Sequence, residues 1–161
     1  MNREILFRGR EEITGEWRYG FYAHLPSAGG SAHIIFEPAE NPDESNQTRF
    51  VDPSTVGQYT GLKDRNGKRI FEGDIVKYTF DSPEDPFATD YDLVPRVGRV
   101  FWSEWRASFA VMAGRNGSSA LNNDVARYVR GRSIYEYVRG ANTAEAIGNI
   151  YDNPELLGGA E

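Results

Sequence analysis

Asp64, Asn66, Glu72 and Asp74 fall within twelve positions of one another in the stretch Gln58–Tyr78, QYTGLKDRNGKRIFEGDIVKY, with Gly67 and Gly73 between them. Oxygen-bearing side chains at that density could hold a divalent cation, help cradle a phosphate, or reverse the backbone. A calcium loop of the EF-hand kind needs oxygen ligands at positions 1, 3, 5 and 12 around a glycine at 6. With Gly67 at position 6, Leu62 falls at position 1 and Gly73 at 12; starting at Asp64 instead puts Ile75 at 12. Neither register supplies the ligands. A phosphate loop needs Gly, four residues, then Gly-Lys-Ser/Thr. Here Leu62 stands where the first glycine belongs, and Arg69 where the hydroxyl belongs. The turn reading fits. Asn66-Gly67 is a favoured hairpin pair because both residues tolerate positive φ, and Asp64 can accept a hydrogen bond from the backbone two residues on. Glu72-Gly73-Asp74 then makes a second bend before Ile75, with Asp74 holding it through backbone N–H groups.

Other chemistry is sparse. The chain has two histidines, His24 and His33. They approach one another if FYAHLP and SAHIIF pair as strands, but a tetrahedral zinc site wants three or four protein ligands. Glu37 and Glu40 have no diagnostic spacing for that role. GRNGSSA lacks the order of a Gly-x-Ser-x-Gly elbow. The segment Asp81–Asp92 holds five carboxylates, two prolines and no basic residue, and reads as a solvated, mobile loop. No residue is assigned a catalytic, cofactor-binding or metal-ligating role.

Two stretches point to contacts instead. VARYVRGRSIYEYVRG interleaves Arg127, Arg130, Arg132 and Arg139 with Tyr128, Tyr135 and Tyr137. Basic grooves with stacking aromatics hold single-stranded nucleic acid. The candidate contacts are Arg127, Tyr128, Arg130, Arg132 and Arg139; the competing reading is a core strand with snorkelling arginines. Trp102 and Trp105 sit at an expected hairpin tip, where an aromatic can anchor a partner.

Composition sets the frame. The chain has 161 residues, about one domain's length, is 13% aromatic, and carries a formal charge of -6. That charge argues against broad adhesion to DNA or an anionic membrane. It has no cysteine, hence no disulfide framework. No run approaches the roughly 18 apolar residues of a membrane span, and MNREILFRGREE lacks a signal-peptide core. The expectation is a soluble cytoplasmic protein.

Short apolar runs punctuated by Gly and Pro predict many strands and little helix. EILFRGREEITGEWRYGFYAHLP reads as two strands about Thr14-Gly15, with Trp17, Tyr19 and Phe21 on one face. SAHIIFEP and DIVKYTF read as strands, RVGRVFW and RASFAVM as a hairpin, EAIGNIY as a strand, and DNPELL as a short helical turn starting at Pro154. The fold class expected is mainly β, a small barrel or roll.

Three of these segments carry a resemblance. REILFRG (Arg3 to Gly9), VGQYTGLKDRNGKRIFEGDIV (Val56 to Val76) and IGNIYDNPELL (Ile147 to Leu157) resemble the sequence signatures of the YopX family, in the family's order. The resemblance implies a phage or prophage protein with an SH3-like barrel component, of no established activity and with no agreed functional residues. It implies a single YopX-like domain over 1–161; a division into an N-terminal β subdomain, 1–60, and an SH3-like barrel subdomain, 61–161, is the alternative. The function expected is a non-catalytic accessory module that contacts an unknown host or phage macromolecule, with no cofactor and no membrane association. Single-stranded nucleic-acid binding is the alternative, and a small metal-dependent hydrolase the last choice.

Overall fold

A computed structural model of the chain describes residues 4–27, 30–39, 45–104, 107–113 and 143–158. The described residues form ten strands and two short 3-10 turns: β1 (Phe7–Arg10), β2 (Trp17–Ser27), β3 (Gly30–Glu37), β4 (Gln47–Phe50), β5 (Gly57–Lys63), β6 (Arg69–Phe71), β7 (Asp74–Tyr78), β8 (Arg96–Ser103), β9 (Ser108–Ala113) and β10 (Glu145–Asn149). They pair in two sheets, ordered β4-β3-β2-β1-β5-β6 and β10-β7-β8-β9. Every pairing whose register is resolved is antiparallel. The fold is therefore mainly β, as composition and turn spacing predict. The chain divides into two compact units, Met1–Gly61 and Leu62–Glu161. Among the described residues no helix is long and apolar enough to cross a membrane.

In the first unit, β1 and β2 are joined at Glu11–Glu16. Gly15 takes a positive φ of 71° and donates its N–H to the Glu11 carbonyl at 2.8 Å. Strand alternation then sorts β2. Trp17, Tyr19 and Phe21 share a face, and the register sets Phe21 opposite Phe36 and Ile34 opposite Phe50. The other face buries Ile35 completely and carries an ionic cluster. The Glu11 carboxylate accepts from Thr14 Oγ1 at 2.8 Å and from Arg18 Nε and Nη2 at 2.9 and 2.6 Å. Arg49 Nη1 lies 3.5 Å from its other oxygen. These partners hold the Glu11 carboxyl below the ordinary glutamate value, the Thr14 hydrogen bond most and Arg18 next, against the opposing effect of burial.

A 3-10 turn at Pro53–Thr55 was not legible as a regular element, although Asp52-Pro53-Ser54 carries its signal. The Asp52 carboxylate caps the turn, accepting the Ser54 N–H at 2.8 Å, and proline occupies the first turn.

In the second unit the core gathers Ile70, Val76, Tyr78, Val100, Phe109 and Val111. The predicted hairpin is present as β8 and β9, with Trp102 opposite Phe109 and Ser103 opposite Ser108. The predicted helical turn begins at Pro154 and runs to Gly158, with Glu155 in its first turn. The Asn149 side chain sets the preceding bend by accepting the Tyr151 and Asp152 N–H groups, each at 2.9 Å.

Two measurements test this account. A Cβ at Gly20 would lie 2.0 Å from the Phe36 carbonyl oxygen, a backbone atom that cannot step aside. Gly20→Ala is expected to destabilise the chain by about 2 kcal/mol or more in urea unfolding, the upper part of the range for overpacking. Glu11 titrates with a lowered pKa in the folded chain, so its contribution is fully present above the ordinary glutamate value and is lost as pH falls through the lowered one. Glu11→Gln is expected to flatten that acid limb of the stability–pH curve.

Candidate functional site

The carboxylate-rich stretch that could have been an ion site is a pair of bends. The peptide between β5 and β6 closes with the Gly67 N–H on the Asp64 carbonyl at 3.0 Å and the Asp64 N–H on the Lys68 carbonyl at 2.8 Å. Gly67 has a φ of 83°, and Asn66 does not share the positive region. The turn is therefore a three-residue loop ending in a left-handed glycine rather than a two-residue turn with both central residues at positive φ. Asp64 is nearly buried. Its Oδ1 accepts the N–H groups of Asn66 and Lys68 at 2.8 and 2.9 Å. Its Oδ2 accepts the Ala146 N–H at 3.0 Å. The second bend is built on the same device, with Asp74 Oδ2 accepting the Phe71 N–H at 2.8 Å. Asp64 commits its oxygens to three backbone donors, and Asp74 Oδ2 serves the same end at its own bend.

The turn also sets Arg65 at the edge of a cleft of about 400 Å³, its own N–H bonded to the Ala144 carbonyl at 3.0 Å. Arg65, Lys77, Thr79, Thr143 and Glu145 line it, together with Ser82, Pro83 and Glu84 of the acidic segment after β7. That segment is organised at its neck. The Phe80 N–H bonds the Asp92 carbonyl at 2.8 Å. Arg96 donates to the carbonyls of Val94 and Tyr91 at 2.8 and 2.9 Å, while its guanidinium carbon sits 3.8 Å from the Phe80 ring centroid and 4.6 Å from that of Tyr91. Beyond the neck, Phe87 is 89% exposed.

The remaining sequence candidates separate. His24 and His33 are direct cross-strand partners, their rings stacked at 4.6 Å, as pairing of the two strands predicts. Tyr22 Oη lies 2.6 Å from His33 Nδ1, and among the described residues no third ligating side chain completes a metal cluster. Glu37 is engaged by Arg49 at 3.4 Å; Glu40 lies outside the described residues. Trp102 packs edge-on against Phe109 at 5.1 Å and remains partly exposed. Trp105 lies outside the described residues, as do Arg127, Tyr128, Arg130, Arg132 and Arg139.

What the sequence reading did not flag is the outward face of β2–β4. Tyr19 is 45% exposed, Phe21 58%, Phe36 36% and Phe50 52%. The alternation of Trp17, Tyr19 and Phe21 gave the shared face but not which side of the sheet it was. At one end Arg8 lies over the Trp17 ring, its guanidinium carbon 4.8 Å from the centroid.

A model of the YopX protein family matches residues 6–158. The chain belongs to the YopX family. The YopX match spans all three signature segments, apart from the first residues of REILFRG. None of the curated proteins compared matches the chain. Among solved structures the chain is similar to the crystal structure of protein EF1440 from Enterococcus faecalis, at 22% identity, over 97% of this chain and 99% of that one, with a TM-score of 0.49.

Asp64→Ala would strip three backbone N–H groups of their acceptor. It is expected to cost about 3 kcal/mol, since hydrogen bonds to charged groups contribute roughly 1.5–3 each and do not add fully. Hydrogen exchange should quicken at the Asn66, Lys68 and Ala146 amides. A loss confined to Asn66 and Lys68 would show that the bond to Ala146 carries little.

Proposed function

We propose that this YopX-family chain is a non-catalytic interaction module, encoded by a phage or prophage and acting in the bacterial cytoplasm by contact with a host or phage macromolecule. The finer architecture proposed is a small β-barrel or roll with an SH3-like component; the bridge between Glu11 and Val51, which brings the end of β4 back to the end of β1, supports a rolled sheet in the first unit. One observation carries the functional reading. Tyr19, Phe21, Phe36 and Phe50 stand exposed on one face of a hydrogen-bonded sheet. Adjoining exposed apolar side chains on one surface mark contact sites more often than single ones do, and aromatic rings on fixed strands lose little entropy when a partner covers them. Phe87 and Trp102 add exposed aromatics in the second unit.

Affinity capture from lysogenic host extract, run with and without nuclease, tests the proposal. The intact chain is expected to retain a partner protein after nuclease. The double variant Phe21→Ser, Phe36→Ser, checked for folding by circular dichroism, should retain about tenfold less, the order expected when two anchors are truncated. Loss of all bound material on nuclease treatment would transfer the function to nucleic acid.

A further inference from the structure

The cleft beside β7 is a second candidate for binding, independent of the sheet face. Its volume, about 400 Å³, lies in the range of small-molecule sites, roughly 300–1,000 Å³. Its lining is polar and of both signs. Arg65 and Lys77 supply cations, Glu84 and Glu145 supply carboxylates. None of the four forms an ion pair within 4.0 Å among the described residues, although Lys77 and Glu145 are cross-strand partners.

The hydroxyls are already oriented. Thr143 Oγ1 donates to the Thr79 carbonyl at 2.9 Å, and Thr79 Oγ1 donates to the Asp81 carbonyl at 2.7 Å. Thr143 Oγ1 also accepts the Thr79 N–H at 3.4 Å; with both protons committed, the lone pairs that remain complement a donor such as an ammonium group. Asp64 holds the turn that carries Arg65, and Arg96 closes the neck of the segment that carries Glu84, so part of the lining is preorganised.

A lone anion here would meet Glu84 and Glu145; a lone cation would meet Arg65 and Lys77. A ligand carrying both signs meets neither conflict. We infer that the cleft binds a small zwitterion, of the class of a free amino acid or a short peptide with free termini. Its carboxylate is placed at Arg65 and Lys77, its ammonium at the carboxylates and the threonine oxygens.

The test is an NMR titration of the full-length chain with glycylglycine, with N-acetyl-glycylglycine amide, with inorganic phosphate and with putrescine. Glycylglycine is expected to give saturable shifts at the Arg65, Lys77, Thr79 and Thr143 amides, and the other three probes none. Arg65→Ser, which leaves Asp64 in place, should weaken glycylglycine about tenfold. Glu145→Gln should weaken it while leaving the unfolding midpoint unchanged. No saturable shift with glycylglycine, or an equal response to the capped peptide, phosphate or putrescine, overturns the inference.

Discussion

One buried carboxylate ties together two parts of the second unit that are far apart in sequence. Asp64 accepts hydrogen bonds from two amides of its own turn and from Ala146, 82 positions further along the chain. Desolvating a charged carboxylate is costly unless its lone pairs are filled. Three backbone donors fill most of them here, and each donor is itself fixed by the arrangement. The hairpin β5–β6 and the edge strand β10 are therefore tied to one another. Lys68 reinforces the link, its Nζ reaching the Ala146 carbonyl at 3.4 Å.

That constraint explains what could be read from sequence and what could not. The local half was legible: Asp two residues before an amide donor, Gly67 at the left-handed position, and Asp74 beside its own bend are properties of adjacent residues. The Ala146 partner was not, because nothing in the spacing of AEAIGN announces an N–H aimed at a distant carboxylate. The same division recurs. The meeting of His24 with His33 followed from assuming that two apolar runs pair, since register carries partners with it. The direction of the β2 aromatic face did not follow, because alternation fixes which residues share a side but not which side is covered. The cleft was illegible for a related reason: Arg65, Thr79 and Thr143 come from separate segments, brought together by the Asp64 and threonine contacts, by the Arg65 N–H on the Ala144 carbonyl and by the pairing of β7 with β10.

The two surfaces differ in kind. The face of β2–β4 is broad and aromatic, its rings borne on strands whose opposite side is locked by Glu11, Arg18 and Arg49. The cleft is small and polar, and its walls depend on turns. A substitution that loosens the Asp64 turn would reach the cleft.

The stacked Arg96 has a consequence for the segment it closes. With Phe80 and Asp92 already joined and the guanidinium seated on two rings, the register of β7 and β8 is set outside the segment between them. Lengthening its tip would cost only the slowly growing entropy of a longer tether. The residues around Phe87 form an exchangeable insert, open to wholesale rewriting without penalty to the strands that flank it.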